Sequence, residues 1–308
     1  MKHLSDEAPV AALPSADESA ARAMDEIRGW ADDLLAAHPS PPVSRSHDAG
    51  TGLTPIATLI RHDGRADLLD YLATFRDESL AFYEREGLMR HGYWREQEAH
   101  HGPEYYQIFL YTLGMLEPAD SRTVDRFRAA TDFVGNWNDG PQWRNPDTGL
   151  FRSLFLGSEH VGSETVNAPD HLRFADLCLK CRRLSGGDRY RDVALDYLNR
   201  WAKPIAEEER IPAALDQQGT PRTRDELLES SYRSFVGQLL PVEPEVAAAE
   251  NLVASGAVGL FLAAWKETGE EVYLDACERL IDAMIPALEE PAAWQVPAQI
   301  RRYRRATG

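Results

Sequence analysis

A turn pattern recurs along this chain and restricts what it can fold into. Gly186-Gly-Asp-Arg-Tyr190-Arg-Asp192 aligns with Gly269-Glu-Glu-Val-Tyr273-Leu-Asp275 and, more loosely, with Gly64-Arg-Ala-Asp-Leu68-Leu-Asp70. The two intervals between these glycines are close to three and two multiples of about 41 residues, a length that holds two helices and their turns. In each unit a glycine ends one helix, because it enters the left-handed conformation at little cost, and a tyrosine or leucine four positions later anchors the next. Stacked helical hairpins satisfy this pattern, so the expected class is all-α with few short strands.

Helical spacing of apolar residues places helices near 20–37, 55–61, 65–86, 103–116, 121–134, 170–184, 188–206, 223–236, 246–267 and 271–288. Pro39, Pro41 and Pro42 stop the first, and Pro103 suits a first helical turn. The loop carrying His47, Asp48 and two glycines precedes the second. Residues 150–156 are the best strand candidate and Ile211 to Leu215 a weaker one. Residues 1–17, rich in Pro, Ala, Ser and acids, read as a flexible arm, 18–290 as one domain, and 291–308 as a C-terminal tail with a basic run at Arg301 to Arg305.

Composition narrows the function classes. Fifty acidic against 33 basic residues give a formal charge of −17, which opposes general nucleic-acid binding, where a dense basic surface must neutralise phosphates. The N-terminal residues lack a charged-then-apolar leader, and no apolar run approaches the roughly 20 residues of a membrane span, so a cytoplasmic protein without membrane association is expected. Cys178, Cys181 and Cys277 are too few for a disulfide framework. Cys178 and Cys181 fall on an apolar stripe with Phe174, Leu177 and Leu184, which makes them core thiols.

Turns of the Ser/Thr-Gly-x-x-x-Tyr-x-Asp kind (Ser185 to Asp192, Thr268 to Asp275), with Ile211-Pro-Ala-Ala-Leu-Asp-x-x-Gly219 after a helix, resemble those of the (α/α) toroids of polysaccharide lyases and glycoside hydrolases. The resemblance spans roughly residues 50 to 290. It implies a ring of helical hairpins around a substrate cleft, and an enzyme that cleaves a glycosidic bond in an oligosaccharide, uronate-containing where arginines meet a sugar carboxylate. Hydrolysis and β-elimination are both open, and no cofactor is called for.

Chemistry-bearing side chains crowd between His91 and Arg173, with five of the nine histidines and three of the seven tryptophans. The candidate acids and bases are Glu98, His101, Glu159, His160, Asp170 and His171. His101 is preferred over its neighbour His100, and Glu159-His160 sits between glycines. Paired carboxyls would serve hydrolysis; an imidazole or tyrosine base, with Arg or Asn neutralising a uronate, would serve elimination. Trp94, Trp137, Trp143, Tyr105 and Tyr106 are candidate sugar-stacking or core aromatics. Asn167, Arg152 and Arg173 are candidate polar contacts, together with Arg144. Asn167 to Arg173 also reads simply as a capped helix start, with Asp170 complementing the dipole. Two other classes compete. His100, His101, Glu159, His160, Asp170 and His171 have metal-ligand chemistry without metal-motif spacing, and hairpin repeats also build non-catalytic binding scaffolds.

Overall fold

The structure is a computed structural model that describes residues 16–46, 48–94, 99, 101–134, 142–153, 166–228 and 244–285. Helices dominate: α1 (Ala16–Ala37), α2 (Ala49–Leu53), α3 (Ile56–Asp63), α4 (Ala66–Arg85), α5 (Tyr111–Leu116), α6 (Ser121–Phe133), α7 (Leu172–Ser185), α8 (Asp188–Glu207), α9 (Arg224–Leu228), α10 (Pro244–Ala254), α11 (Ala257–Thr268) and α12 (Val272–Met284). A π-helix, Tyr105–Leu110, leads into α5, and a 3₁₀ turn, Pro169–His171, leads into α7. Two antiparallel pairs of two-residue strands complete the described elements: β1 (Met89–Arg90) with β2 (Tyr93–Trp94), and β3 (Ala214–Leu215) with β4 (Pro221–Arg222).

The glycine punctuation works as expected. Gly64, Gly186 and Gly269 follow α3, α7 and α11 with φ of 68°, 74° and 74°, each donating its N–H back to the helix it ends. Four residues on, Leu68, Tyr190 and Tyr273 are buried. The two tyrosines also reach the preceding hairpin: the Tyr190 hydroxyl donates to Asp132 on α6 at 2.7 Å, and that of Tyr273 to the Leu195 carbonyl on α8 at 3.4 Å.

The helices pack on one another in turn: α3 on α5, α5 on α7, α7 on α8 and α11, and α8 on α12. An Arg189–Asp132 ion pair ties α8 to α6. The buried Arg76 of α4 pairs with Asp77 and Asp120 and donates to Thr123 at 3.0 Å, so α4 is locked to the start of α6, where Asp120 accepts from the Arg122 N–H. A guanidinium taken out of water needs such partners. One apolar core connects Ala31 near the start of the described chain with Met284 near its end. Gly114 admits the close approach of α5 to α7, since a Cβ there would stand 3.1 Å from Leu184.

Several local expectations need correction. The helix expected over 246–267 is two helices bent by 67° at Ser255-Gly256, where Gly256 takes φ 88°. The loop with two glycines holds α2, because Gly50 lets it press on Phe109. Only Phe151, bridged to Arg144, shows strand pairing in the described part of 150–156. The β1–β2 turn uses His91 and Gly92, both at positive φ, as a two-residue hairpin turn requires. No single helix among the described residues is long and apolar enough to cross a membrane.

Gly92 is under a double constraint. Its φ is 91°, and a Cβ would lie 2.5 Å from the Ala130 methyl and 2.9 Å from the Tyr106 ring. Gly92→Ala should therefore destabilise the fold by at least about 2 kcal/mol. Chemical denaturation reads this directly; an unchanged midpoint would show that the hairpin is not held against α6 as described.

Candidate functional site

The expected site residues divide by where the fold puts them. Trp94, Tyr105, Tyr106 and Trp143 are core aromatics. Trp94 packs on Tyr83 with ring centroids 4.7 Å apart, the Tyr105 hydroxyl is 2.6 Å from that of Ser79, and Trp143 meets Phe151 at 4.4 Å. Exposure for sugar stacking is thus not what their glycine-rich neighbourhoods produce. Arg152 donates to the Gln142 carbonyl at 2.7 Å and Arg144 to that of Gly149 at 3.1 Å, which stiffens the loop they share. Glu98, His100, Trp137, Glu159 and His160 lie outside the described residues.

Asn167 and His171 are fully buried and build the start of α7. The Asn167 amide accepts from the Phe151 N–H at 2.9 Å and donates to the Phe151 carbonyl at 3.0 Å, and its oxygen also takes the Tyr197 hydroxyl at 3.1 Å. His171 stacks against the rings of both Trp143 and Phe151, which also touch each other. Its Nδ1 accepts from the Ala168 N–H at 3.0 Å, so its Nε2–H donates to the Ser153 carbonyl at 2.9 Å. This is the neutral imidazole, in keeping with a pKa lowered by burial. With both nitrogens on backbone groups, His171 neither ligates a metal nor moves a substrate proton. Among the described residues no group of three His, Cys, Asp or Glu is placed to hold a metal ion.

Three other expected residues border one cleft. Arg173 lines it directly. Glu104 links Arg173, at 3.8 Å, to His101, at 3.4 Å, so the imidazole stands one residue behind the guanidinium. Asp170 accepts from Ser255 at 3.3 Å, and Ser255 lines the cleft at the α10–α11 bend.

The cleft itself, about 960 Å³, opens between the π-helix with α5, α7 and α11. Arg173, Asp176, Lys180 and Arg183 rise along one face of α7 at helical spacing, beside the buried stripe of Phe174, Leu177, Cys178 and Cys181. At its centre the Asp176 carboxylate takes hydrogen bonds from the Gln107 amide and, at 2.6 Å, from the Lys180 ammonium. Lys180 also donates to the Gln107 carbonyl at 3.1 Å and lies 5.0 Å from the Tyr111 ring centroid, a cation–π distance. Gln107 sits in the π-helix, and both its carbonyl and its side-chain amide reach α7, at Lys180 and Asp176.

The charge balance of the cleft reverses that of the chain. Five basic side chains line it (Arg173, Lys180, Arg182, Arg183 and Lys266) against two acidic ones, Asp176 and Glu267, where the whole sequence has 33 against 50. Both acids are neutralised, Asp176 by Lys180 and Glu267 by Arg182 at 2.8 Å, and the latter pair holds the Glu267 carboxyl below its usual range. Arg183 and Lys266 have no carboxylate partner among the described residues. The wall formed by α11 presents Gly256, Gly259 and Ala263, side chains too small to fill the space. Asp176, Lys180, Tyr111 and Gln107 were not singled out in the sequence; the one signal, for Asp176 and Lys180, was the polar stripe of α7 running next to its apolar one.

Two expectations follow. Lowering of the His171 pKa means that below the ordinary value of 6.5 the unfolded chain binds a proton the folded chain refuses. The contribution of His171 to stability is complete above that value and is lost as the pH falls through the lowered folded value. Denaturant melts on the acid side of neutrality should show this loss, and the non-titrating His171→Gln should start less stable and fall less steeply; parallel pH profiles would count against a buried neutral imidazole.

Gly259 has nothing within 4 Å of where a Cβ would stand, so Gly259→Ala should stabilise the protein by about 0.5–1 kcal/mol. A destabilised Gly259→Ala would show that the α11 wall is covered. Comparison of the chain with family models, curated proteins and solved structures found no match, which leaves the residues of this cleft to carry the functional reading.

Proposed function

We propose that the protein is a carbohydrate-active enzyme that binds a uronate-containing oligosaccharide in this cleft and cleaves a glycosidic bond by β-elimination. The observation that carries the reading is the local excess of cations in a strongly acidic chain, with Arg183 and Lys266 unpaired among the described residues. Guanidinium and ammonium groups match a sugar carboxylate, and neutralising that carboxylate acidifies the neighbouring C–H. The finer arrangement of the fold belongs to the same proposal: α3, α5, α7 and α11 are the inner helices of an (α/α) toroid, and α4, α6, α8 and α12 the outer ones.

In this mechanism Arg173, positioned by the Glu104–His101 link, binds the uronate carboxylate. Tyr111 in its ionised form takes the proton from the carbon next to that carboxylate. The electron pair left behind forms a carbon–carbon double bond and expels the glycosidic oxygen, which takes the proton now held by Tyr111 and so restores the phenolate. Lys180, fixed by Asp176 and the Gln107 carbonyl, supplies positive charge beside the enolate-like transition state. Hydrolysis fits this cleft less well, since it needs a protonated carboxylic acid and the Arg182 pair keeps Glu267 ionised.

A panel of galacturonate, mannuronate and glucuronate oligomers, followed by ultraviolet absorbance of an unsaturated product and by reducing ends, tests the proposal. Both signals should rise together. Tyr111→Phe should lower kcat by about 10²–10⁴, and Arg173→Gln should lower kcat/KM by about 10²–10³, with melting temperatures near that of the parent. Reducing ends without the absorbance would make the enzyme a hydrolase, and neither signal with any oligomer would remove the enzymatic reading.

A further inference from the structure

A second depression of about 680 Å³ lies between α3, α5 and α7, lined by Thr58, Arg61, Thr112, Met115 and their neighbours. Tyr111 and Arg183 line both this depression and the first cleft. The two therefore adjoin at these side chains, and together their linings run across α3, α5, α7 and α11, with Arg183 at the junction.

The far half of the groove has its own charge. Arg61 is exposed, reaches only the Met115 carbonyl, at 3.4 Å, and has no carboxylate partner among the described residues. The nearest acid on α3, Asp63, is already held by Arg28 through two hydrogen bonds of 2.8 and 3.0 Å and by His62 at 2.6 Å. Its charge is offset, and its carboxyl is held below the usual range chiefly by Arg28. Positive charge thus recurs at separate stations along the groove, at Arg61, at Arg183 and at Arg173 with Lys266, and apolar side chains such as Met115 lie between them.

We infer that the ligand is an elongated polyanion, an acidic oligosaccharide with carboxylates on successive units, and that Arg61 and Arg183 form a second anion-recognition position beyond the cleaving cleft. This rests on the function proposed above and adds the length and charge spacing of the substrate. A single acidic sugar occupies the α7–α11 half alone and leaves Arg61 in water. A longer oligomer threads past Tyr111 and gains a further carboxylate–guanidinium contact in the α3–α5 half.

The test is calorimetric binding of uronate oligomers of graded length, from monomer to hexamer, to the Tyr111→Phe protein, which prevents turnover. Affinity should rise with length beyond the short oligomers, and Arg61→Gln should remove about fivefold from the long ones while leaving the short ones unchanged, as expected for one partly solvated ion pair. Arg128→Gln on α6, away from the groove, controls for the loss of one charge and should change neither. Short oligomers that bind as well as long ones, or an Arg61→Gln effect matched by Arg128→Gln, would overturn the second position and leave the proposed enzyme standing. Binding by no oligomer of any length would overturn both.

Discussion

The start of α7 is the constraint on which the rest of the structure depends. This helix packs against the π-helix, α5, α6, α8 and α11, so its direction sets where every wall of the groove lies. It emerges from a short segment with little regular structure around Phe151, Ser153 and Ala168, where a buried unsatisfied peptide group would cost about 1–3 kcal/mol. Asn167 and His171 remove that cost. Asn167 pairs with both peptide groups of Phe151 and extends the chain beside Leu215 through a two-way backbone bridge, while His171 ties Ala168 to Ser153. The stacked rings of Trp143, His171 and Phe151 then fill the space beneath. Two side chains with site-like chemistry are spent on holding the helix that bears the site.

How much of this is legible in the sequence depends on the range of the interaction responsible. Helix ends governed by one residue are readable: Gly64, Gly186 and Gly269 each stop a helix because a left-handed φ is available to them. The buried Tyr190 and Tyr273 follow from their place after those glycines. The π-helix is not readable, since Tyr105 to Leu110 has the apolar spacing of an ordinary helix. The break between α10 and α11 was equally hidden. Gly256 lies within a run apolar enough to be read through, and neither its positive φ nor the contact of Ser255 with Asp170, 85 positions away, is written in the apolar spacing.

The same distinction explains why the richest stretch of the sequence was a partial guide. Histidine, tryptophan and asparagine near glycines suit a binding loop, and they suit equally the polar bookkeeping of a buried loop. Chemistry alone does not separate these uses; the partners of each nitrogen do. For His171 those partners are backbone groups, and for Asn167 backbone groups and the Tyr197 hydroxyl, whereas Arg173 lines open space with His101 behind it through Glu104. Asp176, Lys180 and Tyr111 escaped notice for a complementary reason. Each sits in a helix whose neighbours explain it as a solvated face, and only the juxtaposition of three helices converts that face into a cleft wall.

A basic groove in a chain of charge −17 also has an energetic logic. At long range the net charge repels an anionic ligand, and the repulsion is screened beyond about 8–10 Å at physiological ionic strength. Within that distance the local field governs, and low-dielectric walls concentrate it. Neutralising Asp176 with Lys180 and Glu267 with Arg182 keeps the two acids of the first cleft from cancelling that field, while leaving Arg183 and Lys266 to act at full charge. The small residues of α11 keep the opposite wall from filling the space these charges face. Most of the charge therefore comes from α7 and most of the room from α11, which adds Lys266 to the lining, and beyond the bend at Gly256 α11 packs against α7 so that the two meet in one groove.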